Sequence, residues 1–356
     1  MVEGICIKVD RKRGEEVRRI LTDRNLIDNS RKIISKDEYI FIPILRELSK
    51  EELELINPVE VVLMELPTSK KRYRSLIEAL NGVLQPHLLA MLPKSFDIVG
   101  DIAIIEDLEP DLLPYKEKIA EALMKVHSNI KTVLLKTGKV DGIFRIPKYE
   151  FIGGIENYET IHREYGIRLK VNLFKAYYSP RLATEHFRVA SQTKDGEIVV
   201  DMFAGIGPFS IMIANMVKAK VYAIDINPSA IELLKENIRM NKLKGEVIPL
   251  YGDARSFSKI LNGMADRVIM NLPGEAIAYL DCAINFLKKD GGIIHFYSFL
   301  KENEKESIEK ILSSKLNSLV DYYRIINIRE VKQVAPREWQ LAIDFFAKAK
   351  SFSSNQ

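Results

Sequence analysis

A chain of 356 residues exceeds one typical domain, and its 47% hydrophobic content is enough for more than one core. Its apolar runs fall far short of the ~20 residues a membrane span needs, and the opening MVEGICIKVD lacks a signal-peptide pattern, so a cytoplasmic protein without a membrane partner is expected. The 53 Lys and Arg against 49 Asp and Glu leave a net charge of +4, too small alone to mark a nucleic-acid partner, while Cys6 and Cys282 make neither a disulfide framework nor a zinc set, so no metal is implied.

Residues 1–67 read as a small α/β domain. Gly4 to Val9 alternates as a strand, Glu15 to Leu26 carries Val17, Ile20 and Leu21 at helical spacing, and Ile33 to Ile44 is a hairpin turning at Lys36-Asp37-Glu38. Ser49 to Leu55 is a short charged helix and Val61 to Leu66 a last strand. Pro67-Thr68 then opens a linker in which Lys70, Lys71, Arg72 and Arg74 stand with no acid among them, a candidate RNA contact.

Residues 68–175 read as a middle α/β domain. Leu76 to Leu84 is helical, Asp97 to Ile105 is a hairpin with a Gly-Asp turn, Tyr115 to His127 is an amphipathic helix, and Thr132 to Leu135 and Val140 to Ile146 are strands. Tyr149 to Arg168 reads as polar and irregular before Leu169 to Leu173 returns to strand alternation.

Residues 176–356 carry the chemistry. The apolar run Ile198-Val199-Val200 leads into Asp201-Met202-Phe203-Ala204-Gly205-Ile206-Gly207-Pro208-Phe209-Ser210 and then a helical pattern: a strand, a glycine turn and a helix start, where backbone and helix terminus can approach a ligand. Lys220 to Asp225 is a second strand, ending in an acid about 20 residues after the turn that can accept from ribose hydroxyls. Val247 to Asp253 is a third, and Asp266 to Asn271 a fourth that runs into Leu272-Pro273-Gly274. Gly292 to Ser298, Asp321 to Val331 and Gln340 to Ala347 complete seven, with helices at 182–193, 208–218, 229–240, 275–288 and 303–317.

Ser210 stands where a dinucleotide fingerprint would have its third glycine. The glycine turn, Asp225, Asp253 and Asn-Leu-Pro together resemble S-adenosylmethionine-dependent methyltransferases. That resemblance implies an α/β fold with a Rossmann-like seven-stranded class I methyltransferase sheet, here behind two smaller α/β N-terminal domains.

Tyr177-Tyr178-Ser179-Pro180-Arg181-Leu182-Ala183-Thr184-Glu185, with Gly142-Ile143-Phe144-Arg145 upstream and Asn271-Leu272-Pro273 downstream, resembles the archaeal and eukaryotic tRNA (guanine-N1)-methyltransferases acting at tRNA position 37, in the three-domain archaeal form. The resemblance implies whole tRNA as partner, contacted at the anticodon loop and outer corner, the latter by residues 1–67, and a monomer. Guanine N1 carries a proton at neutral pH, so the reaction needs a base and a group to hold charge on O6. By the resemblance Glu185 is that base and Arg145 the O6 partner; Asn271 orients the base edge and Pro273 fixes its turn. Tyr177 lies near cofactor and target base, and Arg181 is a further RNA contact. For the cofactor, Asp225 takes the ribose, Ile226 packs on adenine, Asp253 accepts from the adenine amine beside Ala254, and Phe203, Ala204, Gly205 and Asn271 line the pocket. His186 stands where many relatives carry Arg, which puts a charged contact to the methionine carboxylate in question.

Exocyclic-amine methyltransferases follow the fourth-strand Asn with two prolines and an aromatic; Leu272 and Gly274 remove the first proline and the stacking ring. The related branch that methylates a wyosine intermediate, 4-demethylwyosine, at the same position is the nearer alternative, alone or in addition to guanine. Transfer of the cofactor's aminocarboxypropyl group, a vestigial tRNA-binding protein and an NAD-linked oxidoreductase are the remaining readings.

Overall fold

The computed structural model describes residues 2–67, 73–138, 142–301, 305–335 and 337–350. The chain divides into two compact units, Met1–Ala79 and Leu80–Gln356.

In the first unit four antiparallel strands pair in the order Ile34–Lys36, Tyr39–Pro43, Val2–Asp10, Glu60–Leu66. Val17 and Leu21 of the helix Gly14–Asp23 bury against Ile7, Val9, Ile42 and Ile44 of the sheet, the pairing that helical and strand periodicity dictate. The hairpin turns where expected, with Asp37 at φ +55°. Ser49 and Glu52 cap the helix Lys50–Glu54 reciprocally.

The second unit begins with the strands Asp97–Val99, Ile102–Ile105, Thr132–Lys136 and Tyr149–Gly154, paired in that order, with the helix Lys116–Val126 on the last of them. Three expectations are corrected. The helix expected over 76–84 is the shorter Leu76–Leu80, because Gly82 turns left-handed at φ +79°. Within the strand expected over 140–146, residues 142–145 form a turn, with Gly142 and Arg145 at φ +70° and +54°. Residues 149–168, expected to be irregular, hold the edge strand already named and most of a two-stranded ribbon, Glu159–Glu164 with Ile167–Asn172. Ile167, Leu169 and Val171 bury into the core, and Asn237 ties the ribbon down, accepting from Lys170 N at 2.6 Å and donating to Lys170 O and Ile206 O at 3.1 Å each.

The seven-stranded sheet runs Glu246–Tyr251, Lys220–Asp225, Ile198–Asp201, Arg267–Met270, Gly292–Lys301, Glu338–Ala349, Val320–Ala335; the first five are parallel and the last two antiparallel. The central parallel strands Ile198–Asp201 and Arg267–Met270 are buried on both faces. The helices Pro208–Met216 and Pro228–Met240 cover one face, and Leu280–Phe286 and Lys305–Leu319 the other. The helix expected over 275–288 is split, with a tight turn at Ala276–Tyr279 before Leu280–Phe286. Strand order reverses at Ile198–Asp201, so the crevice beyond its carboxyl end is where such a sheet takes a ligand. Among the described residues no helix is long and apolar enough to cross a membrane.

Candidate active site

The glycine turn sits at that reversal. Gly205 and Gly207 have φ of +56° and +88°, a region closed to most side chains, and Gly207 caps the helix Pro208–Met216. A Cβ on Gly205 would meet only Tyr177 O, at 3.8 Å, so the turn opens onto free space beside Tyr177. Asp225 holds the turn: its Oδ2 accepts from Gly205 N at 2.7 Å and its Oδ1 from Asn227 N at 2.8 Å. Asn227, not Asp225, caps the following helix, accepting from Ser229 N. Burial raises the Asp225 carboxyl above its ordinary range, while the two N–H groups oppose that rise.

Asp253 does serve as a cap, accepting from Arg255 N at 2.8 Å at the start of the tight turn Ala254–Phe257; its other oxygen accepts from Tyr279 OH at 3.3 Å. Phe203 meets the Tyr279 ring edge-on at 5.0 Å, Ile226 is half-buried next to Asp225, and Ala204 and Ala254 are buried. Asp201, to which the sequence assigned no role, is fully buried: Ser210 Oγ donates to its Oδ2 at 2.8 Å, and burial pushes its carboxyl up to about 7 against the opposing pull of Ser210 and the Phe203 N–H. An open left-handed turn, acids at the second and third strand ends and an aromatic wall fit an adenosine-bearing cofactor.

The helix Ala183–Gln192 buries Glu185, His186, Val189 and Ala190 on one face, so two polar groups enter the core and must find partners there. Glu185 is 1% exposed. Its Oε1 accepts from Tyr297 OH at 2.7 Å and from Arg188 Nη2 at 2.6 Å, and Arg188 Nε lies 3.0 Å from both oxygens. Arg188, three residues on along the helix, thus pairs with Glu185 inside the protein. His186 Nδ1 is 2.8 Å from Glu164 Oε2, and Tyr178 OH donates a short hydrogen bond to the other oxygen. Burial works to raise the Glu164 carboxyl, and His186 and Tyr178 bring it below its ordinary value. Among the described residues His186 Nε2 has no hydrogen-bond partner, and its ring lies edge-on to Phe209, just after the glycine turn.

Arg145 lies across from the fourth strand end. Its Nη2 donates to Glu275 Oε1 at 2.7 Å, and its guanidinium is 3.4 Å from where a Cβ on Gly274 would sit, so it borders the turn that follows Asn271-Leu272-Pro273. Gln340 Nε2 donates to Asn271 Oδ1 at 3.0 Å. Lys332 Nζ donates to Ser179 Oγ at 3.0 Å and to Tyr177 OH at 3.3 Å, which leaves Tyr177 partly exposed. Arg181 is turned to Asp97, at 2.8 Å. Glu185, Arg145, Tyr177, Asn271 and the glycine turn thus all belong to the second unit, and its last two strands reach three of them: Lys332 meets Tyr177, Gln340 meets Asn271 and Arg329 lies 3.6 Å from Glu185. Arg74 lies in the first unit, where its backbone N–H donates to Glu78 at 2.8 Å; Lys70, Lys71 and Arg72 lie outside the described residues. Tyr297, Gln340, Lys332 and Glu275 were not legible beforehand, since each meets its partner across a long stretch of chain and no local motif marks it.

The sequence patterns of three domain families match in succession: the tRNA methyltransferase 5 N-terminal domain over residues 6–52, the TYW2 N-terminal domain over 61–157 and the TRM5/TYW2 methyltransferase domain over 160–321. The tRNA (guanine(37)-N(1))-methyltransferase Trm5b of Pyrococcus abyssi is 41% identical over 345 residues, covering 96% of this chain and 98% of its own length. The chain belongs to the Trm5-type tRNA (guanine(37)-N1)-methyltransferase family. Among solved structures of this family, the complex of aTrm5 with tRNALeu matches 96% of the chain and 99% of its own with a TM-score of 0.74 at 34% identity. Methanocaldococcus jannaschii Trm5 bound to adenosine matches 98% and 99% with a TM-score of 0.63 at 34% identity. Of the Trm5 residues carried over by motif, Glu185, His186, Ala204 and Ala254 are buried, and Arg145, Tyr177, Phe203, Gly205, Asp225, Ile226, Asp253, Asn271 and Pro273 keep part of their surface open.

Proposed function

We propose that the protein transfers a methyl group from S-adenosylmethionine to N1 of guanosine at tRNA position 37, with Glu185 removing the N1 proton. The observation that carries this is the Glu185 carboxylate itself. It is fixed by Arg188 and Tyr297 on the helix Ala183–Gln192, which follows Tyr177 after the tight turn Pro180–Leu182 and turns its neighbour His186 to Phe209 beside the glycine turn. A positioned carboxylate and a cation serve the two needs of the reaction, proton removal at N1 and charge stabilisation at O6.

Asp225 and Asp253 would hold the ribose hydroxyls and the adenine amine, with Ile226, Phe203, Ala204, Gly205 and Ala254 around them. When bound, the cofactor supplies an electrophilic methyl group. His186 takes the place of an arginine: with Nδ1 committed to Glu164, its Nε2 is the atom left to face the methionine end. Asn271, its oxygen engaged by Gln340, presents its amide N–H groups to the base edge. Arg145 turns from Glu275 to O6, and Tyr177 and Arg181 contact the RNA. Residues 1–67, 68–175 and 176–356 act as outer-corner recognition, middle RNA-binding and catalytic domains, with Lys70, Lys71, Arg72 and Arg74 on the phosphates.

Mass spectrometry of nucleosides from undermethylated tRNA, incubated with enzyme and cofactor, tests the assignment. The expected product is 1-methylguanosine at position 37. An exocyclic methylguanosine, or methylation confined to tRNA carrying 4-demethylwyosine, would replace this reading with the alternative it names.

A further inference from the structure

A carboxylate bound by an unshared guanidinium is a weak base, because the cation favours its ionised form. In this protein the guanidinium is shared. Arg188 gives Nε and Nη2 to Glu185 at 3.0 and 2.6 Å, and on its other edge it gives Nη1 in a short bond, and Nη2 at 3.1 Å, to Asp344. Asp344 is 2% exposed and is itself fixed from behind. His295 Nδ1 lies 2.6 Å from Asp344 Oδ1, and Arg267 Nη1 lies 2.7 Å from His295 Nε2. A guanidinium can only donate, so His295 Nε2 is an acceptor, the ring is neutral and its proton sits on Nδ1, aimed at Asp344. Arg267 is balanced in turn by Glu197 at 2.9 Å. The buried and half-buried charges alternate in sign: Glu185, Arg188, Asp344, then Arg267 and Glu197 across a neutral histidine.

We propose that Tyr297 and the Arg188–Asp344 pair are positioning residues that tune the proton affinity of Glu185. Tyr297 donates to the carboxylate and holds it in place, and Asp344 takes part of the Arg188 guanidinium that would otherwise serve Glu185 alone. This rests on the reading of Glu185 as the base. Oε1 is held by Tyr297 and by Arg188 Nη2, whereas Oε2 accepts only Arg188 Nε at 3.0 Å with Arg329 Nη1 beyond hydrogen-bond distance at 3.6 Å, so Oε2 is the less committed oxygen and the one to receive the N1 proton. The charged and titratable groups around Glu185 come from four elements. Arg188 and His186 lie on its own helix, the latter turned to Glu164; Tyr297 and His295 lie on Gly292–Lys301, Asp344 on Glu338–Ala349, and Arg329 on Val320–Ala335 at 3.6 Å from Oε2. The adjoining helix Pro208–Met216 carries no titratable side chain.

Single-turnover methylation of a tRNA transcript measured against pH separates tuning from mere structural support, since the two variants move the profile in opposite directions. Tyr297→Phe removes a donor to the carboxylate, so the acid limb moves to higher pH, by about one unit. Asp344→Asn leaves the full Arg188 charge on Glu185, so the limb moves to lower pH by a similar amount, and the plateau falls severalfold because the base is weaker. Melting curves and cofactor calorimetry on the same samples establish that each variant is folded. If Asp344→Asn does not fold, Tyr297→Phe decides alone. Limbs that stay put or move together, while Glu185→Gln abolishes turnover, overturn the tuning and leave the base in place. A Glu185→Gln enzyme with the parent rate removes the base reading and the tuning with it.

Discussion

Gln340 donates its side-chain amide to Asn271 Oδ1 across 3.0 Å, joining the last strand to the fourth-strand end. The bond fixes which way the Asn271 amide faces, because an oxygen already engaged from behind leaves the N–H groups forward. Gln340→Leu keeps the volume and loses the donor. Under saturating tRNA and cofactor the single-turnover rate should fall about 10-fold, with little change in tRNA affinity, since a misplaced orienting group costs rate rather than binding. A loss confined to tRNA affinity would assign Gln340 to docking instead.

Arg145 is paired with Glu275 at 2.7 Å, so removal of either residue reports on different steps. Arg145→Ala should lower the methylation rate by about 10²- to 10³-fold, the usual effect of deleting a group that stabilises developing negative charge. Glu275→Gln should leave the rate within a few-fold of the parent, as the arginine is only released earlier. If Arg145→Ala raises the KM for tRNA alone, the residue contacts phosphate.

Asp225→Ala and Asp253→Ala should each weaken cofactor binding by about 1 to 3 kcal/mol, the loss of an acceptor for a polar edge. Isothermal calorimetry reads this directly. Normal affinity in both variants would remove the proposed pocket.

Asp201 gives a stability test with a definite sign. Its folded carboxyl is pushed up to about 7 from an ordinary value of 3.8, so the folded state keeps a proton that the unfolded chain loses first. Its contribution therefore becomes unfavourable as pH rises through that window and levels off above 7. Asp201→Asn, which can still accept from Ser210, should melt increasingly above the cofactor-free parent between pH 5 and 8, by up to a few kcal/mol. A difference independent of pH would contradict the assignment. Asp344 has the opposite sign: His295 and Arg188 overcome its burial and hold it near about 2, so its stabilisation is complete above the ordinary carboxylate range and is lost only in strong acid.

Deleting residues 1–67 should leave cofactor binding intact and reduce the preference for whole tRNA over an isolated anticodon stem-loop. Competition between the two substrates measures that preference. An unchanged ratio would assign the segment to stability or another partner.

The parallel strands were legible because each is a short apolar run ending in a polar residue, and the glycine turn because positive φ at Gly205 and Gly207 admits little else. The ribbon at Glu159–Glu164 was missed because only Glu164 of that strand is buried, so its outward polar residues mimic a loop. Glu185, Arg145 and Asn271 were singled out only through family resemblance; propensity alone would make Glu185 a surface acid of an amphipathic helix, whereas it is buried. The groups that hold them were invisible for a topological reason. Tyr297 and Asp344 sit on strands that read simply as apolar, and they meet helix Ala183–Gln192 from neighbouring strands far along the chain, Tyr297 from the last parallel strand and Asp344 from the antiparallel strand beside it.

Glu185→Gln tests the central claim most directly, in single-turnover methylation of tRNA near neutral pH with cofactor and tRNA affinities measured on the same protein. The expected result is a rate lowered by about 10²- to 10⁴-fold with both affinities kept, as loss of a positioned base requires. An undiminished rate would contradict the account and leave Glu185 a structural partner of Arg188.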